Sequence, residues 1–393
     1  VNALRNGFAS LCLAISLFVA SMGTALALPQ LLVDMRTGEV LYENDAAVPW
    51  YPASLTKLMT ALLAFEAIET GQAGLSTPVI SSANALSVPP SKMGFPVDTA
   101  VTLEDALYLL IVKSANDIAV AIAETIGGDE ATFVAMMNQR AQMLGMTGTN
   151  FTNPHGLHDP AQFTTARDMA VLALTIRARF PQYDRMFATQ TVEHGQSRSE
   201  TNNILLTRFA GTDGMKTGYV CASGLNVVAT ANRNGRHLMV VTLGANSGRE
   251  RGELTAQLLH SGFSGGYRGT GQTIVQMTNQ LGLAPVDMRP QICGAQAESY
   301  RQARMEEFPA GLEGQVSYLN DEITPPTHRM ATLGRVRDVP LPRPRPGWMP
   351  AVADTSGSSI TLLPDGPAGD ASFSGTTLAL PSGASVPTPR PRP

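Results

Sequence analysis

Strand-forming runs lie at both ends of one long segment, and the sequence between them is helical. Leu31 to Arg36 and Glu39 to Glu43 are apolar runs on either side of Thr37-Gly38, the pattern of a β-hairpin. Far along the chain, Gly214 to Val220, Leu225 to Ala231 and His237 to Leu243 repeat the strand pattern. Asn234-Gly235 joins the last two, a strong hairpin signal. Between these ends, Leu103 to Ile111, Asp117 to Ile126, Thr132 to Leu144 and Thr165 to Arg179 have helical character. Another helix is expected over about Gly248 to Leu259. Strands that open and close a segment whose middle is helical predict one α/β domain over 28–268, with a mostly antiparallel sheet flanked by helices and a helical insertion.

The 393 residues leave room for more than this domain. With 44% hydrophobic and 15% charged residues, a large core can be buried. The net charge of -4 gives no electrostatic case for nucleic acid, so no nucleic-acid partner is expected. Arg5, the apolar run Phe8 to Ala20 and Ala25-Leu26-Ala27 read as a cleaved signal peptide over 1–27 and imply export to the periplasm or cell envelope. Leu11 before Cys12 does not fit a lipoprotein signal. Cleavage leaves Cys221 and Cys293, an even count in a disulfide-permissive compartment, and a bond between them is the preferred reading over two buried free thiols. Residues 269–339 carry no motif and form an extension of uncertain structure, with helical character near Glu298 to Glu307. From 340 to 393 the chain turns Pro-rich, as in Pro340 to Pro346 and Pro387 to Pro393, which predicts a disordered tail.

Pro52-Ala53-Ser54-Leu55-Thr56-Lys57 opens an apolar helical run, and Pro suits a first helical turn. On a helix, positions i and i+3 share a face, so Ser54 and Lys57 point into the same space. An amine there can take the proton of a serine as it attacks a carbonyl. Ser114-Ala115-Asn116 falls between two helical stretches, where a loop can present its side chains. Lys216-Thr217-Gly218 opens a strand able to form one wall of a cleft. Each motif alone is cheap; the three in this order are not. His155 and His158 lack metal-ligand spacing with other His, Cys or Glu residues, so no metal or other cofactor is expected.

In these motifs, and in Asp34 to Asn44, Ser114 to Gly128, Asn153 to Leu157 and Asp213 to Gly224, the chain resembles the low-molecular-weight penicillin-binding proteins, specifically the serine-type D-alanyl-D-alanine carboxypeptidases. The resemblance spans about 28–268 and implies a β-lactamase/transpeptidase-like fold. It implies Ser54 as nucleophile, Lys57 as general base and Ser114 as proton relay to the leaving D-alanine. Asn116 would hold Lys57 and the substrate amide, and Lys216 and Thr217 would bind the terminal carboxylate. Gly218 would let the substrate backbone approach, and the N–H groups of Ser54 and Tyr219 would form the oxyanion hole. Arg249 matches a family arginine near the carboxylate site, although it could equally be a surface residue at a helix end. His155 lies in a loop the family keeps, which implies a structural role. The implied partners are peptidoglycan stem peptides and β-lactam antibiotics. Family members often end in an amphipathic membrane-lying helix, and no such basic, apolar helix is read here, so no clear membrane anchor is expected.

Three other readings share these residues. A class A-like β-lactamase needs a carboxylate to activate the deacylating water; Asp159 and Asp168 are on offer, but no Glu-x-x-Leu-Asn element is. A D,D-endopeptidase would use the same groups. A non-catalytic wall-binding or antibiotic-sensing module would be free to lose Ser54, Lys57, Ser114 and Lys216.

Overall fold

The computed structural model describes residues 28–336, together with two short strands, Asp354–Ile360 and Leu378–Ser382, that pair antiparallel within the Pro-rich region. Residues 1–27, expected as a signal peptide, and the rest of the expected disordered tail lie outside the described residues.

The expected strands form one five-stranded antiparallel sheet. Its order is Val40–Asn44, Gln30–Asp34, Arg236–Ala245, Gly224–Arg233 and Thr212–Val220, so the last strand is an edge. The Asn234-Gly235 turn forms as expected: both residues adopt positive φ, 53° and 76°, as a two-residue hairpin requires. Alternate side chains take opposite faces. Val227, Ala229, Ala231, Leu238 and Val240 pack with Ala256 and Leu259 of the helix Gly248–Phe263. Val228, Met239 and Val241 join the larger core on the other face, with the helices Lys57–Glu69, Asn116–Gly127 and Ala166–Arg179.

The helix Lys57–Glu69 runs through the middle of that core. Of its side chains only Glu66, Ile68 and Glu69 escape full burial, and a helix apolar on all sides has no other place to go. Its entry differs from expectation. Ser54 belongs to a 3-10 turn, Ala53–Thr56, and the α-helix starts only at Lys57. The two side chains still meet, because residues three apart eclipse on a 3-10 turn. Likewise, the helix over Leu103–Tyr108 widens into a π-turn, Leu109–Lys113, which delivers Ser114 in a left-handed conformation (φ 61°).

Residues 269–336 are a belt around the preceding segment. Ile274 N–H donates to the Gly38 carbonyl (2.9 Å), Gln280 N–H to Ala47 (3.0 Å) and Met288 N–H to Ala222 (3.0 Å). Asn279 Nδ2 reaches the buried Asp168 carboxylate at 2.9 Å. Cys293 is joined to Cys221 by a disulfide, and closing a 72-residue separation contributes ~4 kcal/mol in chain-entropy terms. Thr327–Met330 then adds a parallel strand to Thr191–His194, and Gly334–Arg335 pairs with Ala100 and Thr99.

The belt helix Ala297–Glu307 is held by one buried ion pair, Arg304 Nη2 to Glu250 Oε1 at 2.6 Å. Glu250 is fully buried and Arg304 nearly so. Removing one partner of a buried pair strands the other charge in a dry site. Arg304→Ala is therefore expected to cost about 3 kcal/mol, read as a lowered urea midpoint. A midpoint within error of wild type would show that Glu250 does not depend on the belt.

Candidate active site

The turn that carries Ser54 is clamped from the sheet. Asn226, fully buried on the second strand from the edge, donates from Nδ2 to the carbonyls of Tyr51 (2.9 Å) and Pro52 (3.2 Å). Its Oδ1 accepts from Gly244 N–H at 2.9 Å, so all its polar atoms are engaged. Trp50 Nε1 donates to the Ser223 carbonyl at 2.9 Å. Ala53, just before Ser54, has φ 48°, a conformation that a residue with a Cβ adopts only under constraint.

Two glycines supply that constraint by close approach. A Cβ on Gly156 would lie 1.9 Å from the Ala53 carbonyl oxygen, and Gly156 itself has φ 88°. A Cβ on Gly218 would lie 2.9 Å from Ser54 N. The missing side chain of Gly218 thus makes room for the turn that carries Ser54, its nearest neighbour.

Lys57 is 1% exposed, and its amine has three neighbours: Ser54 Oγ at 3.0 Å, Asn116 Oδ1 at 2.8 Å and the His155 carbonyl at 2.5 Å. Asn116 Nδ2 donates to the Pro89 carbonyl at 2.9 Å, which fixes the orientation of the amide. Its Oδ1 and the His155 carbonyl can only accept. A neutral Lys57 amine therefore spends its two N–H bonds on them and turns its lone pair to the Ser54 hydroxyl. Burial, then the Lys216 cation, hold Lys57 far below the usual lysine range, partly opposed by Asp117.

Lys216, also buried, donates to Ser114 Oγ and to the Thr217 carbonyl, each at 2.9 Å. Burial and then the nearby Arg251 lower its pKa to about 7. A cleft of about 430 Å³ passes over these groups and is lined by Ser54, Ser114, Asn116, Thr217, Tyr219 and Arg251.

Arg251 is the residue that sequence reasoning missed, and Arg249 is the correction. Arg249 turns away and donates to the belt carbonyls of Phe308 (3.1 Å) and Ala310. Residues two apart on a helix lie some 200° apart, so only one of them can face the cleft. That residue is Arg251, 5% exposed and bonded to the Asn202 carbonyl at 2.5 Å. Among the described residues neither Arg251 nor Lys216 has a carboxylate partner, so the cleft holds two buried, uncompensated basic groups. Asn226 and Asp117 were missed as well. Asp117 accepts from Met93 N–H (3.0 Å) and Gly94 N–H (2.8 Å), tying down the loop beside Asn116. An acidic residue in a helix's first turn was the available hint; nothing local marks Asn226.

His155 takes no part in a proton relay to Ser54. Burial, then Lys57, lower its pKa to about 3, so it is neutral, and its Nδ1 accepts from Leu157 N–H at 3.1 Å. Asp159 and Asp168 are also away from the chemistry. The first caps its own loop at Ala161 (2.8 Å), and the second is spent on Gly148, Thr149, Arg167 and Asn279.

Residues 19–247 match the peptidase S11 family, described as D-alanyl-D-alanine carboxypeptidase. The chain belongs to that family. It is 34% identical over 238 residues to D-alanyl-D-alanine carboxypeptidase DacA of Haemophilus influenzae, which covers 59% of this chain and 61% of the relative. With DacF of Bacillus subtilis it shares 32% over 241 residues, again 59% and 61%. The chain thus spans about three fifths of the length of these curated relatives. Among solved structures it is similar to penicillin-binding protein 5 from Haemophilus influenzae, with a TM-score of 0.58 at 32% identity, covering 62% of this chain and 72% of that one. DacD from Francisella tularensis gives 0.59 at 29%, covering 62% and 71%. The family match ends before the belt begins.

A lysine whose pKa falls on folding destabilises the fold wherever it is charged in both states. For Lys216 that penalty is complete below about 7 and disappears as pH rises toward the ordinary 10.5. Lys216→Met should therefore raise the melting temperature at pH 6, and the gain should shrink steadily between pH 7 and 10. A pH-independent difference would mean that Lys216 is not held near neutrality by burial.

Proposed function

We propose that the chain is a serine D,D-carboxypeptidase that removes the terminal D-alanine of peptidoglycan stem peptides and is acylated by β-lactams. The observation that carries this reading is the Lys57 amine, buried between two obligate acceptors with Ser54 Oγ as its third neighbour, 3.0 Å away. In the proposed sequence, Ser54 attacks the carbonyl between the two D-alanines as Lys57 takes its proton. The N–H groups of Ser54 and Tyr219 receive the developing oxyanion. The C–N bond breaks, and Ser114, bonded to Lys216 at 2.9 Å, passes a proton to the departing D-alanine nitrogen. Water then hydrolyses the acyl-enzyme. The terminal carboxylate is bound by Thr217, Lys216 and Arg251, a pairing that would also offset the cost of burying these cations. Asn116 orients Lys57 and the peptide amide.

The residues lining the cleft include no carboxylate, which favours a long-lived penicillin adduct over the rapid deacylation of a β-lactamase. Endopeptidase action on D,D-cross-links would use the same groups. The signal-like sequence over 1–27 supports action in the periplasm or cell envelope.

Mass spectrometry of the purified protein with a penicillin, run beside D-alanine release from a peptide ending in D-Ala-D-Ala, tests the reading. A persistent adduct on Ser54 together with D-alanine release is expected, and Ser54→Ala should lose both. Lys57→Ala should slow acylation by about a thousandfold, the contribution of a positioned base. Rapid penicillin turnover without peptide cleavage would instead make the protein a β-lactamase, and neither product would leave a binding module.

A further inference from the structure

The belt is fastened just beyond the Lys216-Thr217-Gly218 motif, next to the cleft-lining residue Val220. The disulfide fastens Cys293 to Cys221, three residues past Gly218, and the Met288–Ala222 hydrogen bond (3.0 Å) fixes the same belt turn to the end of the edge strand. Tyr219, which lines the cleft with Ser54, is 51% exposed. Its hydroxyl lies 3.2 Å from Cys293 Sγ and 3.7 Å from Cys221 Sγ. A disulfide sulfur carries no proton, so the phenol O–H is the donor. A tyrosine on a free strand edge could swing about two torsions; this one is laid against a covalent clamp.

The direction of the strand decides what Tyr219 faces. Lys216 marks the cationic end of the cleft, Gly218 abuts Ser54, and Tyr219 lies one residue further from Lys216. A peptide with its carboxylate at Lys216 and Arg251 and its reacting carbonyl at Ser54 would point its preceding residues away from Lys216, toward the part of the cleft that Tyr219 lines. We infer that Tyr219, held by the Cys221–Cys293 clamp of the belt, forms the subsite for the residues that precede the scissile bond of an extended acyl peptide. The disulfide then positions a recognition residue as well as closing a loop. This inference rests on the carboxypeptidase reading.

The test compares a pentapeptide ending in D-Ala-D-Ala with N-acetyl-D-Ala-D-Ala, which lacks the preceding residues. The enzymes are wild type, the double variant Cys221→Ser/Cys293→Ser, and Tyr219→Phe, which keeps ring and disulfide and removes only the hydroxyl. In the double variant the pentapeptide KM should rise about fivefold at similar kcat, the range of one lost weak hydrogen bond, while the short peptide's kcat/KM stays within about twofold. Tyr219→Phe should move the pentapeptide KM in the same direction, and it serves alone if the double variant fails to fold. An unchanged ratio of long to short peptide in both variants, or equal losses on both peptides, would overturn the inference. Wild type that releases no D-alanine from either peptide would instead overturn the carboxypeptidase reading, and this inference with it.

Discussion

The contact on which the rest depends is the buried meeting of Lys57 with Ser54. An amine is kept out of water by a helix with almost no exposed side, and every feature of the helix Lys57–Glu69 that reads as core sequence also serves to desolvate that amine. The cost of burying it falls on the fold; the result is an amine whose pKa is held far below the usual lysine range. Lys216 repeats the arrangement one step away, and each cation depresses the next, from Arg251 to Lys216 to Lys57. The site is therefore one coupled electrostatic unit, assembled from a central helix, a sheet edge and the start of the helix Gly248–Phe263.

Holding that unit in register falls to backbone contacts. The turn carrying Ser54 accepts a left-handed Ala53 because Gly156, Gly218 and the buried Asn226 fix it from different sides. A π-turn and a left-handed Ser114 bring the second motif to the same point. Left-handed backbone at Ala53, beside Ser54, and at Ser114, in a surround that over-determines both, pre-sets the positions of these side chains.

Around this unit the belt acts as an outer brace. It grips the rest of the chain at the edge strand through Cys221–Cys293 and at the helix carrying Arg251 through the Glu250–Arg304 pair. Both anchor points adjoin walls of the cleft, so a segment with no motif of its own bears on the geometry of the site. Its sequence announced one of these grips, the Cys221–Cys293 bond, and the helix near Glu298 to Glu307, but not the Glu250–Arg304 pair or the scattered backbone bonds of the rest, which leave no periodicity to read.

The sequence by itself determined the sheet, the central helix and the three motifs, because alternation, helical periodicity and short spacings are local properties. Ser54 with Lys57 was legible for that reason, and it survived even the change from α to 3-10 geometry, since both bring residues three apart together. Only the tertiary structure decided which arginine faces the cleft. Arg249 and Arg251 belong to the same helical turn, and the helix's rotation, set by packing against the sheet and by the Arg304 pair, turns Arg251 inward. It also decided that Gly218 yields to the turn carrying Ser54 and that Asn226 holds that turn. Such assignments depend on which surfaces meet across separations from 49 residues (Arg251 to Asn202) to 175 (Asn226 to Tyr51), and no short window of the sequence contains both partners.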